Sequence, residues 1–387
     1  MTGVYQLPLP QGDEILPLHL DVPAALLDDL RERLARTRWP ERETDASQGV
    51  SLAVAREVCA YWAHQYDWRR CEAMLNGLGQ YRTTIDGLGI HFLHIRSPVP
   101  DALPLLLTHG WPGSVIEFHK VFAPLTDPAW HGGRAADAFH VITPSLPGFG
   151  FSDRPAGPGW GLERIARAWI VLMRRLGYEK FVAQGGDWGA GVTTEIAMLA
   201  PPELRAIHLN QVLTSPAPED MADITPAEQA ALATEKRYRK EGNAYARQQM
   251  TRPQTLGYGL TDSPAGQAMW IYEKFAEWAD CDGDPRNVLS LDEMLDNIML
   301  YWLPGNAAAS ARLYWESLWS FTARRVDVPV GCSIFPREIF RSSRRWAARR
   351  FPQLIHWREL DKGGHFAAFE QPAMFVDELR DAFRTLR

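Results

Sequence analysis

The run Phe181-Val182-Ala183-Gln184-Gly185-Gly186-Asp187-Trp188-Gly189 constrains the fold of this chain more than any other. Apolar residues suited to a buried strand lead into a glycine pair, and residues 191–198 continue as a helix-forming segment. A glycine lies two positions from Asp187 on each side. That pattern suits a sharp strand-to-helix turn, where neighbouring side chains must be small. A carboxylate on such a turn cannot make an ordinary acyl-enzyme. It can attack an sp3 carbon that bears a leaving group and become an alkyl ester. The plainer reading is an aspartate that caps a helix after a glycine turn, so the surrounding sequence has to decide.

The chain has 387 residues, 46% hydrophobic and 23% charged, enough to bury a sizeable core. Length alone suggests two or so domains. The net charge is −6 and there is no basic block, which argues against a nucleic-acid partner. No apolar run reaches the ~18 residues of a membrane-spanning helix. Residues 1–17 lack the charged and then apolar pattern of a secretory leader. Cys59, Cys71, Cys281 and Cys332 are scattered without metal spacing. They read as reduced core thiols of a cytoplasmic protein.

Leu26, Leu27, Leu30 and Leu34 predict a helix over 23–38, stopped by Pro40. Further helices are expected at 52–66 and 69–76. Residues 81–85 and 90–94 flank Asp86-Gly87-Leu88-Gly89 and read as a β-hairpin. From Leu103 apolar strands alternate with loops and helices: strand 103–108, strand 139–143, helix 161–176, then strand 180–184. This predicts an α/β fold with a mostly parallel sheet covered on both faces. Residues 216–322 look all-helical, with starts at Thr225-Pro226-Ala227-Glu228, Ser263-Pro264 and Ser290-Leu291-Asp292-Glu293. An insert of that kind reads as a lid. A strand returns at 328–335, and a helix at 372–386 closes the chain. The expected division is 1–97, 98–215 for the first part of the core, 216–322 for the lid and 323–387 for the second part.

A nucleophile on such a turn needs a histidine and an acid, in the chain order nucleophile, acid, histidine. His365, in Lys362-Gly363-Gly364-His365-Phe366, sits on a glycine loop before the last helix. His91, His94, His140 and His208 lie in strand-like runs and read as structural. Glu338 follows the 328–335 strand and is the favoured acid, while Glu359, Asp361 and Glu370 read as loop charges or helix caps. His109-Gly110-Trp111-Pro112 follows an early strand, where the second half of an oxyanion hole is expected. The amides of Trp111 and Trp188 would converge on one oxygen. The tight loop favours a cis bond before Pro112.

Several long motifs, in order, resemble the epoxide hydrolases of the α/β-hydrolase fold, in the microsomal-type branch with an N-terminal meander domain. They are Arg33-Leu34-Ala35-Arg36-Thr37-Arg38-Trp39-Pro40, Asp86-Gly87-Leu88-Gly89-Ile90-His91-Phe92, His109-Gly110-Trp111-Pro112-Gly113-Ser114 and Gly185-Gly186-Asp187-Trp188-Gly189. Thr251-Arg252-Pro253-Gln254-Thr255 with Asp262-Ser263-Pro264, and Gly363-Gly364-His365-Phe366-Ala367-Ala368-Phe369-Glu370, complete the set. The resemblance implies two lid tyrosines that bond the epoxide oxygen. Tyr245 matches one by its spacing before the Thr-x-Pro-x-Thr element, and Tyr314, in Arg312-Leu313-Tyr314-Trp315-Glu316, matches the other; Tyr258, Tyr272 and Tyr301 are nearby competitors. It places the acid of Phe-Pro-x-Asp/Glu on Glu338. It implies hydrolysis of a small-molecule epoxide to a diol, without metal or organic cofactor, as in soluble bacterial relatives. Some of those serve natural-product biosynthesis, and detoxification is the other setting. Oligomeric state is left open, with a homodimer as one option.

Two rivals remain at this level. A haloalkane dehalogenase also uses an aspartate nucleophile, and a following tryptophan such as Trp188 can hold a halide. The tyrosines favour the epoxide, because an alkoxide wants a proton and a halide does not. A catalytically dead fold that binds a ligand is the rival of another class. Trp270, Phe275, Trp278, Trp302, Trp315 and Trp319 suggest a bulky or aromatic substrate, although core packing would explain them as well.

Overall fold

The computed structural model of the chain describes residues 3–8, 10, 12–317 and 324–387. Its centre is a nine-stranded sheet. The strands are β1 Leu16–Pro17, β2 Gln80–Ile85, β3 Leu88–Ile95, β4 Leu103–Thr108, β5 Phe139–Pro144, β6 Phe181–Gly185, β7 Leu204–Leu209, β8 Val330–Ile334 and β9 Leu354–Glu359. They lie in the order β1-β2-β3-β5-β4-β6-β7-β8-β9. Strands β1, β2 and β3 join antiparallel, and β3 meets β5 antiparallel. From β5 to β9 every pairing is parallel. All of β4, β5, β6 and β8 is buried. That is why these strands read as continuous apolar runs rather than as an alternation.

The hairpin of the front segment thus belongs to the same sheet as the core. Its turn is Asp86-Gly87 alone, with φ of 50° and 76°. Two residues with positive φ match the twist of an antiparallel pair, which draws Leu88 and Gly89 into the strand. The first three helices are Ala24–Ala35, Leu52–His64 and Trp68–Gly77. They clasp the helical insertion from behind. Tyr61 donates to Asp292 at 2.9 Å, Tyr66 to Asp296 at 2.8 Å, and Arg70 pairs with Asp296 at 2.7 Å.

Between β7 and β8 the chain makes the helices Pro226–Arg237, Ala244–Thr251, Pro253–Asp262, Pro264–Trp278, Leu291–Trp302 and Ala307–Ser317. A π turn, Tyr238–Gly242, follows the first of them. Thr225 with Glu228, and Ser290 with Glu293, form the two expected capping boxes. The helix Leu291–Trp302 is bolted to the loop after β4. Ser114 donates to Asn297 at 2.7 Å, Asn297 donates to the Pro112 carbonyl at 2.7 Å, and Tyr301 donates to the Gly113 carbonyl at 2.6 Å. All four cysteines are buried and unpaired. Among the described residues no helix is long and apolar enough to cross a membrane, and no cluster of side chains could hold a metal ion.

Candidate active site

Four loops that leave the carboxyl ends of parallel strands meet at Asp187. The first follows β6, where Gly186 caps the helix Asp187–Leu199 and Asp187 takes a left-handed φ of 50°. This twist turns the carboxylate out of the helix and back over the sheet. It works only because the neighbours are bare: a Cβ on Gly189 would overlap the Thr108 carbonyl. The second loop follows β4. The Trp111 amide donates to Asp187 Oδ1 at 2.8 Å. A Cβ on Gly110 would overlap that same carboxylate. The Trp111–Pro112 bond is cis, as expected. Trp188 stands in the first turn of the helix, at its positive end. Its ring meets Tyr314 edge-on, centroids 4.6 Å apart.

The third loop follows β9 and carries His365, which is buried. Its Nδ1 lies 2.8 Å from Glu338 Oε1, and its Nε2 lies 3.5 Å from Asp187 Oδ2. Glu338 stands on the fourth loop, after β8, and is also buried. The same Oε1 accepts from the Ile339 amide at 2.7 Å and from Gln211 at 3.3 Å. Burial works against an imidazolium, yet the Glu338 charge and the Asp187 carboxylate outweigh it. Together they hold His365 well above the ordinary histidine value. Glu370 is buried rather than solvated. It accepts from the amides of Asp280, Gly364 and Phe366 at 2.7, 3.0 and 2.9 Å and so clamps the loop that bears His365. His91, His94, His140 and His208, the four read as structural, stand apart from this cluster, with His91 bonded to Ser145 and Gln80, His94 to Tyr178, and His208 to Ser333. His91 and His208 are pushed down to about 3 and His94 to about 4, each first by burial.

Tyr245 and Tyr314 face this cluster from the helical insertion. Tyr245 stacks on the Trp111 ring at 5.0 Å, and its own centroid is 5.9 Å from that of Tyr314. The buried Tyr314 hydroxyl interacts with the Trp188 indole and the Tyr245 hydroxyl. Burial comes first, and Asp187 and the other tyrosines add to it. Both hydroxyls therefore stand well above the ordinary tyrosine value, as acids that keep their protons. The competitors lie elsewhere. Tyr258 is 71% exposed, Tyr301 is committed to the Gly113 carbonyl, and Tyr272 lies near Asp284 and Arg286.

The site opens into a cavity of about 710 Å³, lined by Asp187, Trp188, Tyr245, Tyr314, Phe340 and Trp346, among others. Among the described residues, the aromatic ones singled out in the insertion do not line it. Phe275 packs on Phe366, Trp302 lines a separate cleft, Trp315 is exposed, and Trp319 lies outside the described residues. Trp278 does reach the site, where it packs edge-on against His365 at 5.0 Å. Sequence reasoning missed Tyr238, whose hydroxyl is 2.9 Å from that of Tyr245. The seven-residue interval between them, two helical turns, was the available signal. The π turn between the two breaks the periodicity that would have exposed it. Glu117, four residues past Gly113, was also missed.

The comparisons with known proteins agree with this fold. A family model for the epoxide hydrolase N terminus matches residues 15–118, and one for the alpha/beta hydrolase fold matches 104–265. A protein of Stigmatella aurantiaca, provisionally named an epoxide hydrolase, is 59% identical over 96% of this chain and 86% of its own length. Epoxide hydrolase 1 of Oryctolagus cuniculus is 35% identical over 95% of this chain and 88% of its own. The crystal structure of juvenile hormone epoxide hydrolase from the silkworm Bombyx mori superposes with a TM-score of 0.89 at 32% identity, covering 97% of this chain and 96% of that one. This chain therefore belongs to the epoxide hydrolases of the α/β-hydrolase fold, in the branch that carries the epoxide hydrolase N-terminal region.

Proposed function

We propose that this epoxide hydrolase works in two covalent steps through an ester on Asp187. In the first, Tyr245 and Tyr314 bond the epoxide oxygen while Asp187 Oδ2 attacks a ring carbon. The carbon–oxygen bond of the ring breaks, one tyrosine gives its proton to the leaving alkoxide, and a hydroxyalkyl ester forms. The tyrosinate left behind regains a proton as His365 loses one. Esterification itself favours that transfer, because it removes the Asp187 charge that helps keep His365 protonated.

In the second step His365, oriented by Glu338, takes a proton from water, and the hydroxide adds to the ester carbon. Oδ1 carries the developing charge, next to the Trp111 amide and the positive end of the helix. Collapse breaks the bond between the acyl carbon and the alkyl oxygen and releases the diol, whose oxygen takes the proton from His365. The proton left on the Asp187 carboxyl then passes to His365, which restores the resting carboxylate and imidazolium. The observation that carries this reading is the position of one carboxylate. Asp187 touches an amide donor through Oδ1, faces a glutamate-bound histidine through Oδ2, and opens into a cavity roofed by two high-pKa tyrosines. We take the substrate to be a bulky epoxide on the size of that cavity, which lies in the range of drug-sized ligand sites.

Styrene oxide mixed with a His365→Gln variant tests this account. An ester should accumulate, seen by intact mass as protein plus one substrate and mapping to Asp187. An adduct on any other residue contradicts it. General-base catalysis is typically worth ~10²–10⁴-fold, so the second step should stall while the first survives.

A further inference from the structure

The site has two chambers, and they do not share the same groups. The large cavity touches Asp187 and both tyrosines, but His365 does not line it. His365 lines a smaller chamber on the other side of Asp187, together with Gly110, Glu117, Gln184 and Asn210. That chamber leaves about 20 Å³ for the centre of a water molecule, room for roughly one. A water needs two to four polar partners to be held in place. The rear chamber supplies them. Gln184 donates to Asn210 at 2.6 Å, and its own buried oxygen has no partner among the described residues. Among the described residues, the Glu117 carboxyl makes no hydrogen bond or ion pair.

Glu117 is placed there by the chain's own geometry. It sits in the 3-10 turn Val115–Phe118, directly after the Trp111 loop, and its carboxyl folds back against Gly113. A Cβ at Gly113 would overlap it. The residue is deep, yet it keeps some accessible surface because it faces the chamber. Burial raises its carboxyl, His365 opposes, and Asp187 and Glu370 add, which brings it up to about 8. At neutral pH it is therefore mostly a neutral acid, with one O–H to donate and one oxygen to accept. A neutral group next to Asp187 adds no repulsion to the nucleophile.

We infer that Glu117 and Gln184 hold the water that hydrolyses the Asp187 ester, in a rear chamber separate from the substrate cavity, with Glu117 as the principal anchor. The epoxide thus enters from one side of Asp187, and the water waits on the other, beside the histidine that takes its proton. This inference rests on the two-step reading above. It gives Glu117 a part in the second step only, and the net chemistry transfers no proton to or from it.

The test is a Glu117→Met variant, which keeps the side chain's length but removes both its donor and its acceptor, mixed with styrene oxide in a rapid-quench experiment read by intact mass. Alkylation of Asp187 should keep its wild-type rate within about twofold. Ester hydrolysis should slow by roughly 10- to 100-fold, the scale on which a misplaced reactant costs rate, so that esterified protein becomes the main steady-state species. Equal rates of ester hydrolysis in variant and wild type would overturn the inference, as would an equal slowing of both steps. Glu117→Asp, which keeps the acid but withdraws it, serves if the methionine variant does not fold, and should give the same split. His365→Gln runs in parallel. If it accumulates ester and the Glu117 variants do not, the role of Glu117 fails and the two-step reading stands. If neither accumulates ester, the two-step reading itself fails.

Discussion

Asp187, His365, Glu338 and the Trp111 amide stand on loops that leave strand ends, whereas Tyr245 and Tyr314 stand on helices with no strand behind them. The two halves of the site hold their chemistry by different means. In the sheet half each group is fixed by backbone: a left-handed φ at Asp187, bare glycines around it, and three amides locked onto Glu370 behind the histidine. In the helical half the groups are fixed by ring packing. Tyr245 stacks on Trp111 and lies 4.8 Å under the Lys274 ammonium, and Tyr314 rests on Trp188. The two halves therefore differ in where they can be altered. The sheet half tolerates almost no change of shape near Asp187, while the helical half can be repacked around its two hydroxyls.

The largest difference between the halves should come from removing the proposed nucleophile. Asp187→Ala should lower turnover by about 10⁴-fold or more, the scale seen when a covalent nucleophile is lost. It should also abolish the mass adduct with styrene oxide. Measurable steady-state diol formation near the wild-type rate would mean that the sheet half does not carry the covalent step. In the helical half the effect is graded. Tyr245→Phe and Tyr314→Phe should each slow ring opening in single-turnover assays, and the double variant should lose roughly the 10²–10⁴-fold that a general acid supplies. Each change removes one hydroxyl and little volume, so thermal unfolding should move little. A double variant at wild-type rate would point to Tyr238, whose hydroxyl lies next to that of Tyr245.

A smaller effect probes the link across the sheet half. The charges of Glu338 and Asp187 raise His365 against the cost of its burial. Asp187→Asn removes one of those charges, so the His365 pKa should fall relative to wild type in an NMR titration. A raised histidine contributes stability that is fully present below its ordinary value near 6.5 and is lost as pH rises through the folded value. The variant should therefore lose this contribution at lower pH than wild type. An unchanged His365 titration would show that Asp187 does not act on it. The smallest effect should come from Trp315→Ala. The side chain is 52% exposed, and exposed substitutions usually stay within about 0.5 kcal/mol. A large change in kcat/KM for aromatic epoxides would return Trp315 to the substrate site.

The same contrast governs what was legible in the sequence. Asp187, His365 and Trp111 each lie next to glycines, because a turn this tight admits no side chain beside it, and that need leaves a motif. Glu338 was legible from its place just past a late strand, and the structure does bring its carboxylate to His365 at 2.8 Å. The tyrosines had no such local signature. Tyr245 and Tyr314 were separated from Tyr258, Tyr272 and Tyr301 only by resemblance, because all five sit in helical sequence. Tyr238 was hidden by a π turn that breaks the helical period. Glu117 was hidden because a lone glutamate past a turn looks like any surface charge; only the fold against Gly113 turns it inward. The aromatic residues of the insertion left the pocket open for the same reason. An aromatic ring at helical spacing serves packing as readily as binding, and Trp302 and Phe275 pack away from the main cavity.

The central claim, that Asp187 itself attacks the epoxide, is tested most directly by following oxygen atoms. A single turnover in ¹⁸O-water with enzyme in excess distinguishes the ester route from direct attack by water. In the ester route the new diol oxygen comes from the Asp187 carboxylate, and solvent oxygen enters that carboxylate only as the ester is hydrolysed. The first turnover should therefore give mostly unlabelled diol, with label appearing in later turnovers as the carboxylate exchanges. A first-turnover diol that already carries the full solvent label would contradict the account and leave Asp187 as a charged bystander to a water activated by His365.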